Sequence, residues 1–96
     1  MRRRNAQALG DVIKELLKLQ RLDKKLNEKE LLLSWDKVVG PAIAKYTIEK
    51  YLKNKVLFVK LSSSVLRSEL MMSRQHLVDS LNRQVGVEVI NDIRFY

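Results

Sequence analysis

The sequence predicts an α+β domain of two layers, in which a small mixed sheet of three strands packs against helices. Hydrophobic residues recur every three to four positions over residues 9–19, 27–46 and 62–85, which is the period of an amphipathic helix. They alternate at every second position over residues 47–61, and β-branched and aromatic residues dominate residues 87–96, as is typical of strands. The predicted order is therefore helix, helix, strand, strand, helix, strand.

The composition describes a small basic protein. Its 96 residues fit one domain built around a single core. Nineteen Lys and Arg residues against eleven Asp and Glu residues leave a formal net charge of +8. Such an excess favours a polyanionic partner, above all nucleic acid. The chain has no cysteine and one histidine, which excludes a disulfide scaffold, a zinc ribbon and a thiol nucleophile.

The apolar runs are too short for a membrane segment. The longest, Leu31–Leu33, is far below the roughly 20 residues that cross a bilayer. The basic start Met1–Arg4 is like that of a signal peptide, but Gly10, Asp11 and Lys14 interrupt the apolar stretch that would have to follow. We therefore expect a soluble protein of the cytoplasm without a membrane partner.

The N-terminal part is predicted to contain an arm and a first helix. Residues 1–8 have no apolar period, so we expect a flexible basic arm there and a single domain over residues 9–96. The apolar positions that begin at Leu9 recur at three and four, which predicts the first helix. A polar connection rich in lysine is predicted for Leu22–Asn27.

A second helix is predicted to begin at Asn27, which is a good N-cap residue. Trp35 lies on its apolar face. Gly40 and Pro41 interrupt the pattern, because proline lacks the N–H group that a helix needs and disfavours helical geometry at the preceding residue. The apolar period nevertheless continues to Tyr46, so we expect a kink or a restarted turn at this point.

The second half of the chain reads as a hairpin, a long helix and a last strand. The alternating runs Thr47–Lys53 and Lys55–Leu61 meet at Asn54, a residue that tolerates the left-handed backbone of a tight turn. Ser62–Ser64 supply N-cap side chains for the long helix that follows. Val87–Tyr96 then completes the sheet, which makes the helix a crossover between two strands.

No residue pattern resembles an active site. The single histidine, His76, has only Asp79 as a neighbour of matching chemistry. The three glycines are too far apart for a phosphate-binding loop. Ser62–Ser64 begin a helix whose N–H groups attract anions, although ordinary capping explains these serines. We expect a non-enzymatic protein without a cofactor or a metal site.

The basic hairpin is the strongest functional feature of the sequence. Residues 37–67 hold seven basic side chains against Glu49 alone. Aromatic residues interleaved with lysines suit the neutralisation of phosphates together with base stacking. An edge hairpin that its lysines merely keep soluble is the alternative interpretation. The residues predicted to contact nucleic acid, on the arm and around the hairpin, are Arg2, Arg3, Arg4, Lys45, Lys50, Tyr51, Lys53, Lys55, Phe58 and Lys60.

Three apolar residues are candidates for contact with a partner protein. The helical spacing of Trp35 indicates a core residue, and a partly exposed anchor is the alternative. Met71 and Met72 fall on the two sides of an apolar helix stripe. One of these methionines is expected to pack and the other to remain partly exposed, as on an adaptable contact surface.

Short motifs that follow one another through the chain carry a family resemblance. They are Leu9–Ile13, Trp35, Val38–Gly40, Ile43–Thr47, Val56–Val59, Ser62–Ser63, Glu69–Leu70, Leu81–Asn82 and Asp92–Phe95. In this combination the chain resembles the DciA-like family of bacterial proteins over essentially its whole length. The resemblance implies a KH-like fold with the order α-α-β-β-α-β and a three-stranded mixed sheet.

The resemblance also implies a partner. DciA-like proteins promote the loading of the DnaB-type replicative helicase, so the family predicts binding of that helicase and of single- or double-stranded DNA at the nucleoid. The Gly-x-x-Gly loop with which KH domains clamp RNA is absent here. Two alternatives stay open: a KH-like RNA-binding protein associated with the ribosome, and a pure protein-interaction adaptor whose lysines only confer solubility.

Overall fold

The computed structural model describes the backbone of residues 2–96 and the side chains of residues 8–96. It confirms the α+β class and the three-stranded mixed sheet. The elements are α1 (Arg2–Val39), α2 (Pro41–Ala44), β1 (Thr47–Lys53), β2 (Val56–Leu61), α3 (Ser64–Met72), α4 (Arg74–Val85) and β3 (Asp92–Phe95).

The helix α1 is continuous over 38 residues, so the predicted connection at Leu22–Asn27 is wrong. This segment contains leucine and lysine, which are good helix formers, and it has neither glycine nor proline to stop the helix. The break comes at Gly40, where a φ of 88° ends α1 and the following proline begins the short α2. The side chains of residues 1–7 lie outside the described residues, so the basic arm stays a prediction.

The sheet has the strand order β1-β2-β3. β1 is antiparallel to β2, and β2 is parallel to β3. Asn54 and Lys55 form the hairpin turn with φ angles of 51° and 63°, which fits a two-residue turn that needs positive φ at both positions. The register shifts between Thr47 and Glu49, so Ile48 forms an irregularity at the start of β1.

The chain returns from β2 to β3 through two helices where the sequence predicts one. Ser73, with φ −101° and ψ 13°, separates α3 from α4. The Ser63 hydroxyl caps α3 by accepting a hydrogen bond from the Leu66 N–H at 3.2 Å, and Gly86 closes α4 in the left-handed conformation. The predicted N-cap is therefore present, and the predicted long helix is corrected to two consecutive helices.

One face of the sheet carries the core. Side chains of β2 and β3 that point towards the helices meet apolar residues of α1, α3 and α4. The buried residues are Leu31, Trp35, Leu57, Val59, Leu61, Leu70, Leu77, Val78, Leu81, Ile90 and Ile93. The loop before β3 is fixed by Asn82, whose side chain accepts hydrogen bonds from the N–H groups of Val89 and Ile90 and donates one to the Ile90 carbonyl.

The N-terminal part of α1 projects beyond this core. The molecule measures 67 × 20 × 19 Å, and residues 11–26 are all exposed, whereas Leu31 and Trp35 farther along the same helix are fully buried. Within the described residues, no helix combines the length and the apolar character that a membrane crossing requires.

Candidate nucleic-acid interface

The face of the sheet that points away from the helices is the candidate interface. Alternate residues along a strand point to opposite faces, so the burial of Leu57, Val59 and Ile93 places their neighbours on the other side. We call that side the outer face. Its residues are Glu49, Tyr51, Lys53, Val56, Phe58, Lys60, Asp92 and Arg94.

A row of planar side chains crosses the outer face. Tyr51 pairs with Phe58 across β1 and β2, and their rings are stacked with centroids 4.9 Å apart and planes 9° from parallel. Arg94 of β3 lies beside Phe58 in the parallel register. The row therefore combines two stacked aromatic rings with an arginine on the neighbouring strand, and both kinds of side chain stack on nucleic-acid bases.

Basic side chains surround this row. Lys53 and Lys60 of the outer face are exposed, as are Lys55 in the hairpin turn and Arg94. The two acidic residues of the face are engaged: Asp92 forms an ion pair with Arg74 at 3.2 Å, and Glu49 accepts a hydrogen bond from the Tyr96 hydroxyl at 3.2 Å. The face thus combines a stacking surface with cations that suit phosphates.

The structure does not bring all predicted hairpin lysines together. Lys50 lies opposite Val59 in the register, on the inner side, and its Nζ is 3.4 Å from Oδ1 of Asp36 on α1. Lys45 follows α2 and lies outside the sheet. The interface that the geometry supports therefore consists of Lys53, Lys60 and their neighbours, without Lys50 and Lys45.

Of the three residues predicted to contact a partner protein, the structure buries one and exposes two. Trp35 is fully buried, and its Nε1 donates a hydrogen bond to Oγ1 of Thr47 at 3.0 Å, so it is the core residue that its spacing indicated and not the exposed partner anchor that was the alternative. Met71 and Met72 are 54% and 85% exposed, so neither packs as one of them was expected to. Both methionines stay candidates for a partner contact.

Sequence reasoning missed two basic features. Arg94 was missed because the register between β2 and β3, which places it beside Phe58, joins distant parts of the chain. The second feature is a stripe on α1 that appears only when the helix is continuous, since its members follow one another at intervals of three or four. This stripe consists of the exposed residues Lys14, Lys18, Arg21, Lys25 and Lys29.

The structure describes the surroundings of the residues that the sequence offered for catalysis or anion binding. No group of three or more His, Asp or Glu residues that could hold a metal ion occurs in the described part of the chain. Asp79 accepts a hydrogen bond from Gln75, and His76 is exposed beside this pair. The Ser63 hydroxyl is used as a helix cap.

The pKa of Tyr96 depends on desolvation and on its contact with Glu49 of the outer face. Partial removal of its hydroxyl from water, and then the charge of Glu49 and the hydrogen bond to it, raise the pKa of Tyr96 above the ordinary value of 10.0. The folded state favours the neutral phenol, so this contribution to stability is present below pH 10.0 and is lost as the pH rises through the folded pKa.

We expect the substitution Glu49→Gln to lower the pKa of Tyr96 towards 10.0, because it removes the negative charge but keeps a hydrogen-bond acceptor. The measurement is a pH titration of the Tyr96 ring signals by NMR, with Tyr96→Phe to assign them. Titration of Tyr96 at the same pH in the parent and the variant would contradict this prediction.

Comparison with known proteins agrees with the motif resemblance. A family model described as "Dna[CI] antecedent, DciA" matches residues 8–95. The chain is also similar to a UPF0232 protein of Corynebacterium glutamicum (strain R), with 25% identity over 93 residues that cover 97% of this chain and 52% of the relative. The chain thus spans about half the length of this curated relative. Because the family model matches nearly the whole chain, the protein belongs to the DciA family.

Proposed function

We propose that this protein is a non-enzymatic accessory of the replicative helicase that holds single-stranded DNA on its outer face. The observation that carries the proposal is the row of Tyr51, Phe58 and Arg94, flanked by Lys53 and Lys60. Stacking requires bases that are not already paired within a duplex, so this surface fits a single strand. Membership of the DciA family, which is related to replicative helicase loaders, supports the helicase as the partner.

In this proposal the lysines attract the phosphates and the aromatic rings hold the bases. Neither contact reads the base sequence, so binding should tolerate any sequence and weaken as salt rises. The protein would then act at the nucleoid in the cytoplasm, where the helicase meets newly separated strands. The basic arm and the stripe on α1 would add phosphate contacts.

The test compares two pairs of lysines on the same hairpin segment. Lys53→Gln with Lys60→Gln removes two charges from the outer face, and Lys45→Gln with Lys50→Gln removes the same charge elsewhere. We expect the first pair to lower the affinity for oligo(dT) at least about tenfold and to reduce the slope of log K against log salt by about 1.4. The second pair should change the affinity less than about twofold.

Fluorescence anisotropy with labelled oligo(dT), oligo(rU) of matched length and a DNA hairpin duplex makes this measurement. Equal losses for both lysine pairs would contradict the outer-face assignment. Tighter binding of oligo(rU) would favour the RNA-binding alternative, and the absence of binding to any of the three would favour the adaptor. A pull-down with tagged protein after nuclease treatment tests the partner, because recovery of the replicative helicase is expected without bridging DNA.

A further inference from the structure

The projecting part of α1 carries an apolar stripe that the domain does not cover. Its members repeat at intervals of three and four residues, in the pattern of positions a and d of a heptad. Leu9 and Leu16 occupy position a and are 64% and 52% exposed. Position d holds Val12, Leu19, Leu26 and Leu33, which are 54%, 55%, 62% and 66% exposed.

The projecting helix concentrates exposed apolar side chains. Of the 17 large hydrophobic residues that are exposed in the described part of the chain, nine lie on α1 between Leu9 and Leu33. Monomers rarely expose an apolar patch of this extent, and a standard interface covers roughly 800 Å² of each partner. Isolated helices are also marginally stable in water, so an unpaired projecting helix lacks the packing that stabilises the rest of the fold.

We propose that a second copy of this chain covers the stripe, and that the two α1 helices pair as an antiparallel coiled coil. The stripe is accessible to a second copy. Leu26 and Leu33 are exposed, while Leu31 and Trp35 point into the core from another side of the same helix.

Asp23 selects the antiparallel direction. Asp23 and Glu30 occupy the two a positions after Leu16, so a parallel pair would place each carboxylate against its counterpart in the partner, which is unfavourable. In the antiparallel arrangement, position a of one helix faces position d of the other. The residue numbers in each layer then add up to the same value, and the facing pairs are Leu9 with Leu26, Val12 with Asp23, and Leu16 with Leu19.

In this register the facing layers form a compact interface. The layers from Leu9 to Leu26 extend over about 26 Å of helix. Ile13 and Leu22, which are 55% and 56% exposed, lie beside the seam and would be covered at its edges. The lysine stripe on α1 lies on another side of the helix and stays open to solvent.

The absence of cysteine allows a direct test of direction by disulfide cross-linking. The double variant Leu9→Cys with Leu26→Cys places facing thiols in the antiparallel register, and we expect oxidation to convert it to covalent dimers. Leu9→Cys alone should stay uncross-linked, because its partner position is occupied by Leu26. Efficient cross-linking of Leu9→Cys alone would overturn the antiparallel arrangement.

Sedimentation equilibrium of the full, nuclease-treated chain tests the dimer itself. We expect a mass of twice 11.2 kDa. Leu16→Glu with Leu19→Glu should raise the dimer dissociation constant at least about a hundredfold, because it buries charge in the central layers. The control Leu17→Glu changes a residue of similar exposure outside the seam and should leave the dimer intact. The fluorescence of Trp35, the single tryptophan, verifies that each variant is folded. A monomeric parent protein, or equal effects of both variants, would overturn the proposal.

Discussion

Truncation of Trp35 to alanine is expected to lower the free energy of unfolding by about 3–5 kcal/mol. The indole is the largest fully buried side chain. It connects three elements, since it extends from α1, donates a hydrogen bond to Thr47 at the start of β1 and lies against Phe95 of β3 with ring centroids 6.2 Å apart. Its removal leaves a cavity where these elements meet and leaves the Thr47 hydroxyl without its donor.

Urea unfolding followed by circular dichroism makes this measurement, since the variant has no tryptophan. Domains of this size have total stabilities of about 5–15 kcal/mol, so Trp35→Ala can be largely unfolded. Trp35→Phe keeps most of the apolar volume and loses the hydrogen bond, and a loss of about 1–2 kcal/mol is expected for it. Lys37→Ala is the exposed control on the same helix and should change stability by less than about 0.5 kcal/mol. A loss below about 1 kcal/mol for Trp35→Ala would contradict the central position of the indole.

The core could be predicted from the sequence because its signals are local. Leu57, Val59 and Leu61 alternate along one strand and all three are buried. Leu77 and Leu81 lie one helical turn apart and are buried as well. Such patterns follow from the periods of strand and helix, and a compact domain must bury the faces that they define.

The errors concern features that local patterns do not determine. The polar residues of Leu22–Asn27 indicated a connection, yet a polar segment continues a helix when no residue stops it. The interruption between α3 and α4 falls at Ser73, where neither glycine nor proline marks the end of a helix. Lys50 was grouped with the other lysines although its position in β1 places it on the inner side, where Asp36 of α1 is its partner. Asp36 and Lys50 are 14 positions apart, so a local sequence pattern does not reveal their contact.

The outer face also combines features that local sequence patterns predict with features that depend on contacts between distant parts of the chain. Because side chains alternate along a strand, Tyr51 lies on the same side as Lys53, and Phe58 lies on the same side as Lys60. The register of the hairpin then unites both pairs on one surface. The position of Arg94 depends on the parallel pairing of β2 with β3, which the two intervening helices set. The sequence could therefore predict that each aromatic residue lies beside a lysine, while the stacked pair and the complete row required the fold.

Replacement of Phe58 by alanine is expected to weaken the binding of oligo(dT) by about 1–3 kcal/mol, because this is the usual loss when one base loses its aromatic partner. Phe58 is the centre of the row, between Tyr51 and Arg94. Tyr51→Ala should have a similar effect. The two losses should not add, since removing either ring also releases the other from a stack with centroids 4.9 Å apart.

Tyr46→Ala is the matched aromatic control. Tyr46 is 49% exposed and precedes β1, outside the outer face, so its loss should change the affinity by less than about twofold. Fluorescence anisotropy at several salt concentrations provides the readout, and thermal unfolding verifies that each variant is folded. Equal effects of Phe58→Ala and Tyr46→Ala would show that base stacking does not occur at the row.

The salt dependence of the affinity distinguishes base stacking from contacts with phosphates. Phe58→Ala removes a ring and no charge, so the affinity should fall while the slope of log K against log salt stays the same. Loss of Lys53 and Lys60 should instead lower the slope, because fewer counterions are released. If Phe58→Ala changed the slope as much as the lysine variants do, the ring would serve only to position the neighbouring cations, and the single strand would be held by its phosphates alone.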